Sequence, residues 1–264
     1  MENKKNKAVI LFARDLILGQ VKTRLSSSFD DETILRLYTC FVEDSLEKIR
    51  QVDNADCFVG ISPSNLSGFF NGIENSDMRL FVQQGKDLGD KMHQAFVDRF
   101  SDGYKKVVII GSDSPSLPVS YINQALNSDK DLMLGPSTDG GYYLIAMTGK
   151  VSEVFDGIAW GTEQVLDETL NRVKKAGLIV RGFRALASNR RGRGRGTDRC
   201  RESLLLFLQH RDRMCSAGNK VFLHSGSSFD GWYQNLWRIS SPDPSWKEYG
   251  SRPYRLIPFG LWKL

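Results

Sequence analysis

The sequence predicts an α/β fold in which a mostly parallel sheet is covered by helices on both faces. Short apolar runs, such as residues 8–13, have the pattern of strands that are buried on both sides. Segments with apolar residues at helical spacing alternate with these runs as far as residue 184. Because ligands of such sheets bind beyond the carboxyl ends of the strands, we expect the functional residues there.

The elements are predicted in chain order from these patterns. In residues 31–50 the apolar positions recur at helical spacing, and Asp30 or Asp31 is a suitable N-cap. Further helices are predicted over residues 88–100, 119–126 and 162–176. Strands are predicted over residues 8–13, 55–61, 79–83, 106–110, 131–134, 142–146 and 178–183.

Composition excludes several protein classes. The 264 residues are 41% apolar and 25% charged, which is typical of globular proteins and excludes collagen-like, coiled-coil and globally disordered chains. The longest apolar runs are far shorter than the roughly 20 residues of a membrane span. We therefore expect a cytoplasmic protein. The four cysteines form no C-x-x-C pair, so neither a zinc site nor a disulfide framework is expected.

The net charge of +5 is unevenly distributed. Residues 1–188 hold 22 Lys and Arg against 25 Asp and Glu, a net charge of −3. Residues 189–264 hold 14 against 6, a net charge of +8, together with four of the five tryptophans. The sequence thus predicts one domain over residues 1–188, followed by an irregular, basic and Trp-rich tail that is poorly ordered.

The segment GQVKTRL (residues 19–25) follows the first predicted strand. Gly19 allows the backbone to approach a ligand closely. Lys22 supplies a point charge and Arg24 a planar guanidinium, which together suit phosphate groups. The alternative interpretation is a solvated basic loop.

The segment VVIIGSDSPSL (residues 107–117) places Asp113 at the carboxyl end of a buried strand, between Gly111 and Pro115. A carboxylate at this position can bind Mg²⁺ that bridges phosphate groups. The alternative is an ordinary N-cap or Asx-turn.

Two further segments are less specific. In GPSTDGGYYL (residues 135–144), the turn at Asp139 is either a plain hairpin or a surface for a base, sugar or acceptor. In QQGKDLGDKMHQAF (residues 83–96), a polar loop leads into a helix N-terminus, which is a potential anion site. His93 on that helix is interpreted as structural.

Together and in this order, these segments resemble the DUF2064 family of bacterial GT-A-fold transferases, described as glycosyltransferases of the radical-SAM/selenodomain-associated or arsenosugar-biosynthesis type. The resemblance covers roughly residues 7–184. Its motifs stand at residues 19–25, 84–89, 111–117, 135–145 and 160–162. It implies a Rossmann-like GT-A three-layer sandwich, a nucleotide-activated donor, and Mg²⁺ or Mn²⁺ as cofactor.

Site residues follow from the residue types and from this resemblance. Catalytic roles are expected for Lys22, Asp113 and Asp139, with Asp113 as the metal ligand. Nucleotide and phosphate groups are expected to contact Arg14, Gly19, Lys22, Thr23, Arg24, Gln84, Gly85 and Gly89. The acceptor side is expected at Gly140, Gly141, Tyr142 and Trp160.

The sequence departs from the family pattern at two places. In the first loop, Arg14, Leu16 and Leu18 replace a lysine and two prolines. After the last strand, an Arg-Gly tract at residues 189–198 stands where the family has an acidic segment. A frameshift near codon 189 would account for the lost pattern and the charge reversal, and the DNA of the gene tests this hypothesis.

The predicted function is the transfer of a group from a nucleotide-activated donor. Glycosyl transfer from a nucleoside diphospho-sugar is the preferred form of this prediction. Nucleotidyl transfer with release of pyrophosphate is an alternative, as is an inactive, degenerate member of the family. RNA binding through the Arg-Gly tract is a more distant alternative, because the preceding domain is slightly acidic. The nucleobase, the sugar, the acceptor and the oligomeric state stay open.

Overall fold

The computed structural model describes residues 6–27, 29–73, 77–114, 117–149, 153–183, 186–188 and 259–260. The strands of its main sheet are β1 (Lys7–Arg14), β2 (Asp56–Ser62), β3 (Met78–Val82), β4 (Lys106–Gly111), β5 (Leu132–Pro136), β6 (Tyr142–Met147) and β7 (Val180–Gly182). The α-helices are α1 (Asp31–Arg50), α2 (Leu88–Ser101), α3 (Val119–Leu126) and α4 (Val165–Lys175).

The sheet has seven strands in the order β3-β2-β1-β4-β6-β5-β7. β1 pairs in parallel with both β2 and β4, and β5 pairs in parallel with β7. β6 alone runs antiparallel to its two neighbours in this sheet. The prediction of a mostly parallel sheet is confirmed. Because Ile110 of β4 lies opposite Leu144 of β6, the turn before β6 lies at the same sheet edge as the end of β4.

The core lies on both faces of the sheet, as a three-layer sandwich requires. Alternate residues of β1 enter different apolar clusters: Val9 packs with α1 and α3, whereas Ile10 packs with α2 and α4. This alternation follows from the two-residue period of a strand. All six inner residues of β1 are buried, which explains its uninterrupted apolar sequence.

Helix boundaries agree with the predictions where a capping residue marks them. The Asp30 side chain accepts a hydrogen bond from the Thr33 amide at 2.8 Å, so α1 begins where predicted. Asp87 caps α2 in the same way through the Asp90 amide. α4 begins at Val165 and not at residue 162, and its N-cap makes no side-chain hydrogen bond. Among the described residues, no helix is long and apolar enough to cross a membrane.

Apolar periodicity did not indicate the short 3₁₀ helices, which span Thr23–Leu25, Phe69–Gly72 and Glu153–Phe155. Ala187–Ser188 pairs in parallel with Phe259–Gly260. The other residues of the predicted tail, with its Arg-Gly tract, lie outside the described residues. The domain boundary at residue 188 and the frameshift therefore stay predictions.

Candidate functional site

The site lies at the sheet edge where the adjacent parallel strands β1 and β4 end. Lys22 stands in the loop after β1 with left-handed backbone angles, φ 47° and ψ 36°, immediately before the 3₁₀ turn Thr23–Leu25. Asp113 follows the last residue of β4 by two positions. The Lys22 ammonium and the Asp113 carboxylate form an ion pair, so the structure joins two residues that the sequence singled out separately.

Both members of this pair are largely withdrawn from solvent. The side chains of Lys22 and Asp113 are 9% and 13% exposed. Burial lowers the pKa of Lys22 and the Asp113 carboxylate opposes this shift, because burial penalises the ammonium ion whereas the anion stabilises it. Asp113 Oδ1 is buried and has no hydrogen-bond partner among the described residues. The carboxylate therefore has one oxygen available for a further ligand.

Tyr38 of α1 connects the two strand ends beneath this pair. Its hydroxyl accepts a hydrogen bond from the Arg14 amide at 2.7 Å and shares another with the Ser112 hydroxyl at 2.9 Å. The Lys22 ammonium lies 5.3 Å from the centre of the Tyr38 ring, within cation–π range. Burial raises the pKa of Tyr38, so the phenol stays neutral and keeps its proton for hydrogen bonding.

A cavity of about 510 Å³ opens over the pair. Among the described residues that line it, five are cationic, namely Arg14, Lys22, Arg24, Lys86 and Lys91. Two are carboxylates, Asp87 and Asp113. The lining therefore carries a formal excess of three positive charges, although residues 1–188 as a whole are slightly acidic. A cleft with this local field attracts anions.

Several residues of the cavity were not expected from the sequence. Lys91 Nζ donates to Ser62 Oγ at 2.9 Å, and burial together with the nearby Arg14 lowers the pKa of Lys91. Gln83 Nε2 donates to the Gly60 carbonyl at 2.8 Å and to the Ala13 carbonyl at 3.3 Å. Gln83 and Lys91 lie within a segment that had been singled out, but periodicity does not show which of its side chains face the cavity.

Of the predicted phosphate-binding residues, Arg14, Lys22, Thr23 and Arg24 line the cavity together with Gln20 and Val21. Gly19 lies in the same loop, immediately before Gln20, and with φ 72° it adopts a conformation that favours glycine. Gln84, Gly85 and Gly89 do not line the cavity, whereas Lys86, Asp87 and Leu88 do. A Cβ at Gly85 would lie 2.7 Å from the Lys91 amide nitrogen, so this glycine allows the loop to pack on α2.

The Asp139 turn lies at the same sheet edge but does not line the cavity. Asp139 is 7% exposed, and its Oδ1 accepts from the Ser137 hydroxyl at 2.5 Å and from the Gly141 amide at 3.3 Å. A Cβ at Gly140 would lie 2.0 Å from the Glu163 carbonyl oxygen. Tyr142 is buried in the apolar cluster that contains α2 and α4.

The predicted Trp160 turn connects this region to the cavity. Gly161, with φ 86°, lines the cavity, and the neighbouring Trp160 packs against the apolar cluster. A Cβ at Gly89 would lie 2.5 Å from the Trp160 indole nitrogen. The absence of a side chain at Gly89 therefore lets the Trp160 ring lie against the start of α2.

A divalent cation is compatible with this site through the carboxylate of Asp113. The described residues contain no group of three or more His, Cys, Asp or Glu that could hold a metal ion. The available Oδ1 of Asp113 is the kind of hard oxygen that Mg²⁺ and Mn²⁺ accept. Mg²⁺ is commonly held by one or two carboxylates together with substrate phosphates and water, so a single protein ligand is compatible with this chemistry.

The fold and the cavity define an α/β protein with a positively charged cavity at the carboxyl edge of a mostly parallel sheet. The model of the family described as "Uncharacterized protein conserved in bacteria (DUF2064)" matches residues 45–162. A protein from Desulfovibrio desulfuricans G20, provisionally described as a nucleotide-diphospho-sugar transferase, is 33% identical with a TM-score of 0.65. That match covers 69% of this chain and 81% of the other. The chain belongs to the DUF2064 family, and its predicted GT-A-like fold is confirmed.

Two other solved structures share only low similarity with the chain. A nucleotidyl transferase from Methanothermobacter thermautotrophicus is 11% identical with a TM-score of 0.48, covering 67% of this chain and 86% of its own. A CMP:2-keto-3-deoxy-manno-octonic acid synthetase in complex with CTP is 12% identical with a TM-score of 0.46. That match covers 77% of this chain and 99% of the synthetase chain. Neither similarity carries an argument about function. No curated protein matches the chain.

Proposed function

We propose that this protein transfers a group from a nucleotide-activated donor whose phosphates bind in the cavity between β1 and α2. The observation that carries the proposal is the excess of positive charge around Asp113 at the carboxyl edge of the sheet. Arginine binds phosphate oxygens through two parallel hydrogen bonds, and lysine binds them as a point charge. The similarity to the D. desulfuricans protein supports a nucleoside diphospho-sugar as the donor.

The residues of the β1 loop receive separate roles in this proposal. Lys22 and Arg24 contact the donor phosphates, and Arg14 contributes positive charge from the end of β1. Thr23 supplies a hydroxyl on the exposed 3₁₀ turn. Because negative charge develops on the leaving phosphate during transfer, preorganised cations stabilise the transition state.

Asp113 is the proposed ligand of Mg²⁺ or Mn²⁺, through the oxygen that lacks a hydrogen-bond partner. When bound, the cation neutralises phosphate charge and helps the nucleotide to leave. Tyr38 and Ser112 hold the end of β4 next to the end of β1 through their hydrogen bonds. They thereby fix the distance between Asp113 and the cationic loop.

The acceptor is proposed to approach from the side of the Trp160 turn. Gly161 lines the cavity there, and Trp160, Gly140 and Gly141 belong to the adjoining segments. Asp139 and Tyr142 are held below this surface, and we propose that they support it. Roles of Gln84, Gly85 and Gly89 in phosphate binding stay predictions, as do the acceptor and a cytoplasmic location.

Nucleotidyl transfer is the second candidate, because the charge of the cavity favours it. A diphospho-sugar with one divalent cation is close to neutral, whereas a nucleoside triphosphate with one such cation keeps about two negative charges. The excess of three positive charges in the cavity suits the more anionic donor.

One experiment separates these candidates. The protein is incubated with Mg²⁺ and panels of nucleoside diphospho-sugars and nucleoside triphosphates, and the released products are measured. Release of a nucleoside diphosphate supports glycosyl transfer, and release of pyrophosphate with a triphosphate supports nucleotidyl transfer. Binding is also measured by calorimetry, because binding does not require the acceptor. If no nucleoside phosphate binds in the presence of Mg²⁺, the protein is an inactive member of its family.

A further inference from the structure

The ion pair between Lys22 and Asp113 joins two groups that the proposed function assigns to different ligands. Lys22 is proposed to bind donor phosphate and Asp113 to bind a divalent cation, yet in the structure the two side chains neutralise each other. An ammonium group and a divalent cation compete for the same carboxylate, because their like charges repel when both lie within a few ångströms of it. The pair therefore affects how the two ligands bind.

We propose that Lys22 acts as an internal competitor for the cation site, so that cation and donor bind cooperatively. Without a donor, Lys22 stays on Asp113 and weakens the binding of a free divalent cation. The donor phosphates draw the ammonium away, and Asp113 then accepts the cation. This inference rests on the proposed function, since it requires that a phosphate-bearing ligand enters the cavity.

The position of Lys22 permits such an exchange. Its backbone is held by the 3₁₀ turn, where its carbonyl accepts from the Leu25 amide at 2.8 Å. The flexible four-carbon side chain can therefore change its partner while the loop keeps its conformation. The Tyr38 ring, 5.3 Å from the ammonium, favours the positive charge near its face. Exchange thus requires side-chain rotation and not loop opening.

The other cavity lysine with a defined partner provides a matched control. Lys91 lines the same cavity and carries the same charge, but its ammonium donates to Ser62 Oγ. If Lys22 weakened cation binding only through its positive charge in the cavity, removal of Lys91 would strengthen cation binding as well. Direct competition for Asp113 is specific to Lys22, because Lys22 forms the ion pair with that carboxylate.

The test measures binding of Mn²⁺ alone, by electron paramagnetic resonance of the free ion. We expect Lys22→Met to bind Mn²⁺ about tenfold more tightly than the wild type, a typical size for coupling between sites. Lys91→Met is expected to stay within about threefold of the wild type. The double variant Lys22→Met/Asp113→Asn is expected to lose this increase in affinity for Mn²⁺. That loss would show that the increase depends on the Asp113 carboxylate.

The reciprocal test uses UDP in the presence of a chelator. Asp113→Asn removes the ion pair with Lys22 and is expected to bind UDP at least about threefold more tightly than the wild type, because the carboxylate no longer competes with phosphate for the ammonium. Circular dichroism checks that each variant is folded, and Lys22→Gln replaces Lys22→Met if the latter does not fold.

The proposal is overturned if Lys22→Met binds Mn²⁺ no more tightly than the wild type, or if Lys91→Met gives the same gain. The proposed function fails separately, if the wild type binds no nucleoside phosphate even with Mn²⁺ present. Because the Mn²⁺ arm uses no nucleotide, the two failures are distinguishable.

Discussion

Asp113 and Asp139 lie at the same edge of the sheet and have similar local sequences, yet their surroundings differ. Each follows a buried strand and stands near a glycine and a serine. Asp139 accepts hydrogen bonds from the Ser137 hydroxyl and the Gly141 amide within its own turn. Asp113 instead pairs with Lys22 from another loop, and its second oxygen has no partner within the described part of the chain.

The comparison shows that hydrogen-bond satisfaction, and not position, distinguishes the two carboxylates. A carboxylate bonded within its own turn stabilises that turn, because burying it without partners would be costly. A carboxylate with an available oxygen beside a cationic cavity can accept an external ligand. Asp113 is therefore the stronger candidate for binding a ligand or cation, whereas Asp139 is the stronger candidate for stabilising its own turn.

Substitution of the two carboxylates should give the largest difference. Asp113→Asn is expected to lower turnover roughly 10²- to 10³-fold, the size typical of losing one charge-stabilising group. Asp139→Asn is expected to lower turnover less than about tenfold and to act mainly through stability, by about 1–3 kcal/mol. Product release under saturating donor and thermal melts measure both effects. A larger loss of turnover in Asp139→Asn than in Asp113→Asn would contradict the assignment of chemistry to Asp113 and of a structural role to Asp139.

The packing around Asp139 can be tested at Gly140. Gly140→Ala should lower the free energy of unfolding by about 2–4 kcal/mol, because φ is 83° and the new Cβ would collide with the Glu163 carbonyl. Gly103→Ala is the matched control: its φ is 91° but nothing lies within 4 Å of the new Cβ. It should cost only about 1–2 kcal/mol in urea unfolding. Equal losses in both variants would show that Gly140 has no special packing role.

Lys106 lies at the opposite edge of the sheet, at the start of β4, and is also buried. Among its described hydrogen bonds, none is to a carboxylate. Its ammonium donates to the Lys130 carbonyl at 2.8 Å, and burial lowers its pKa to about 8. Between pH 8 and 10.5 the folded protein has lost this proton, whereas the unfolded chain still binds it. The free energy of unfolding, relative to that of Lys106→Met, should therefore rise with pH over this range.

The rise should be about 1–2 kcal/mol, since solvent near the strand end screens part of the burial penalty. Denaturant melts of both proteins across this pH range give the difference directly. Subtraction of the Lys106→Met curve removes the contributions of all other titrating groups, which the two proteins share. A flat difference curve would mean that Lys106 is solvated in the folded protein.

Much of the fold was predictable because local rules specify it. The uninterrupted apolar run of β1 predicted a strand buried on both faces, and the Asp30 cap located the start of α1. The start of α4 was predicted three residues too early, because the polar turn before it contains no capping hydrogen bond at its N-cap. The 3₁₀ turn at Thr23–Leu25 was missed, since a single turn has no apolar period.

The site was predictable only in its separate parts. Lys22 and Asp113 were each chosen for residue type and strand-end position, but their pairing depends on the adjacency of β1 and β4. Tyr38 lies within the apolar periodicity of residues 31–50, and its role at the strand ends becomes visible only through its hydroxyl contacts. Its spacing is that of a core residue, so no local signal distinguished it.

The sequence by itself determined the class of fold, the order of its elements and the loops that carry charge, because these depend on periodicity, capping and residue type. The tertiary structure alone decided which charges meet. Residues 91 positions apart in the chain form the central ion pair, whereas Asp139 bonds within its own turn. The physical reason is that strand order and register bring distant loops together, while hydrogen-bond satisfaction depends on neighbours that the local sequence does not contain.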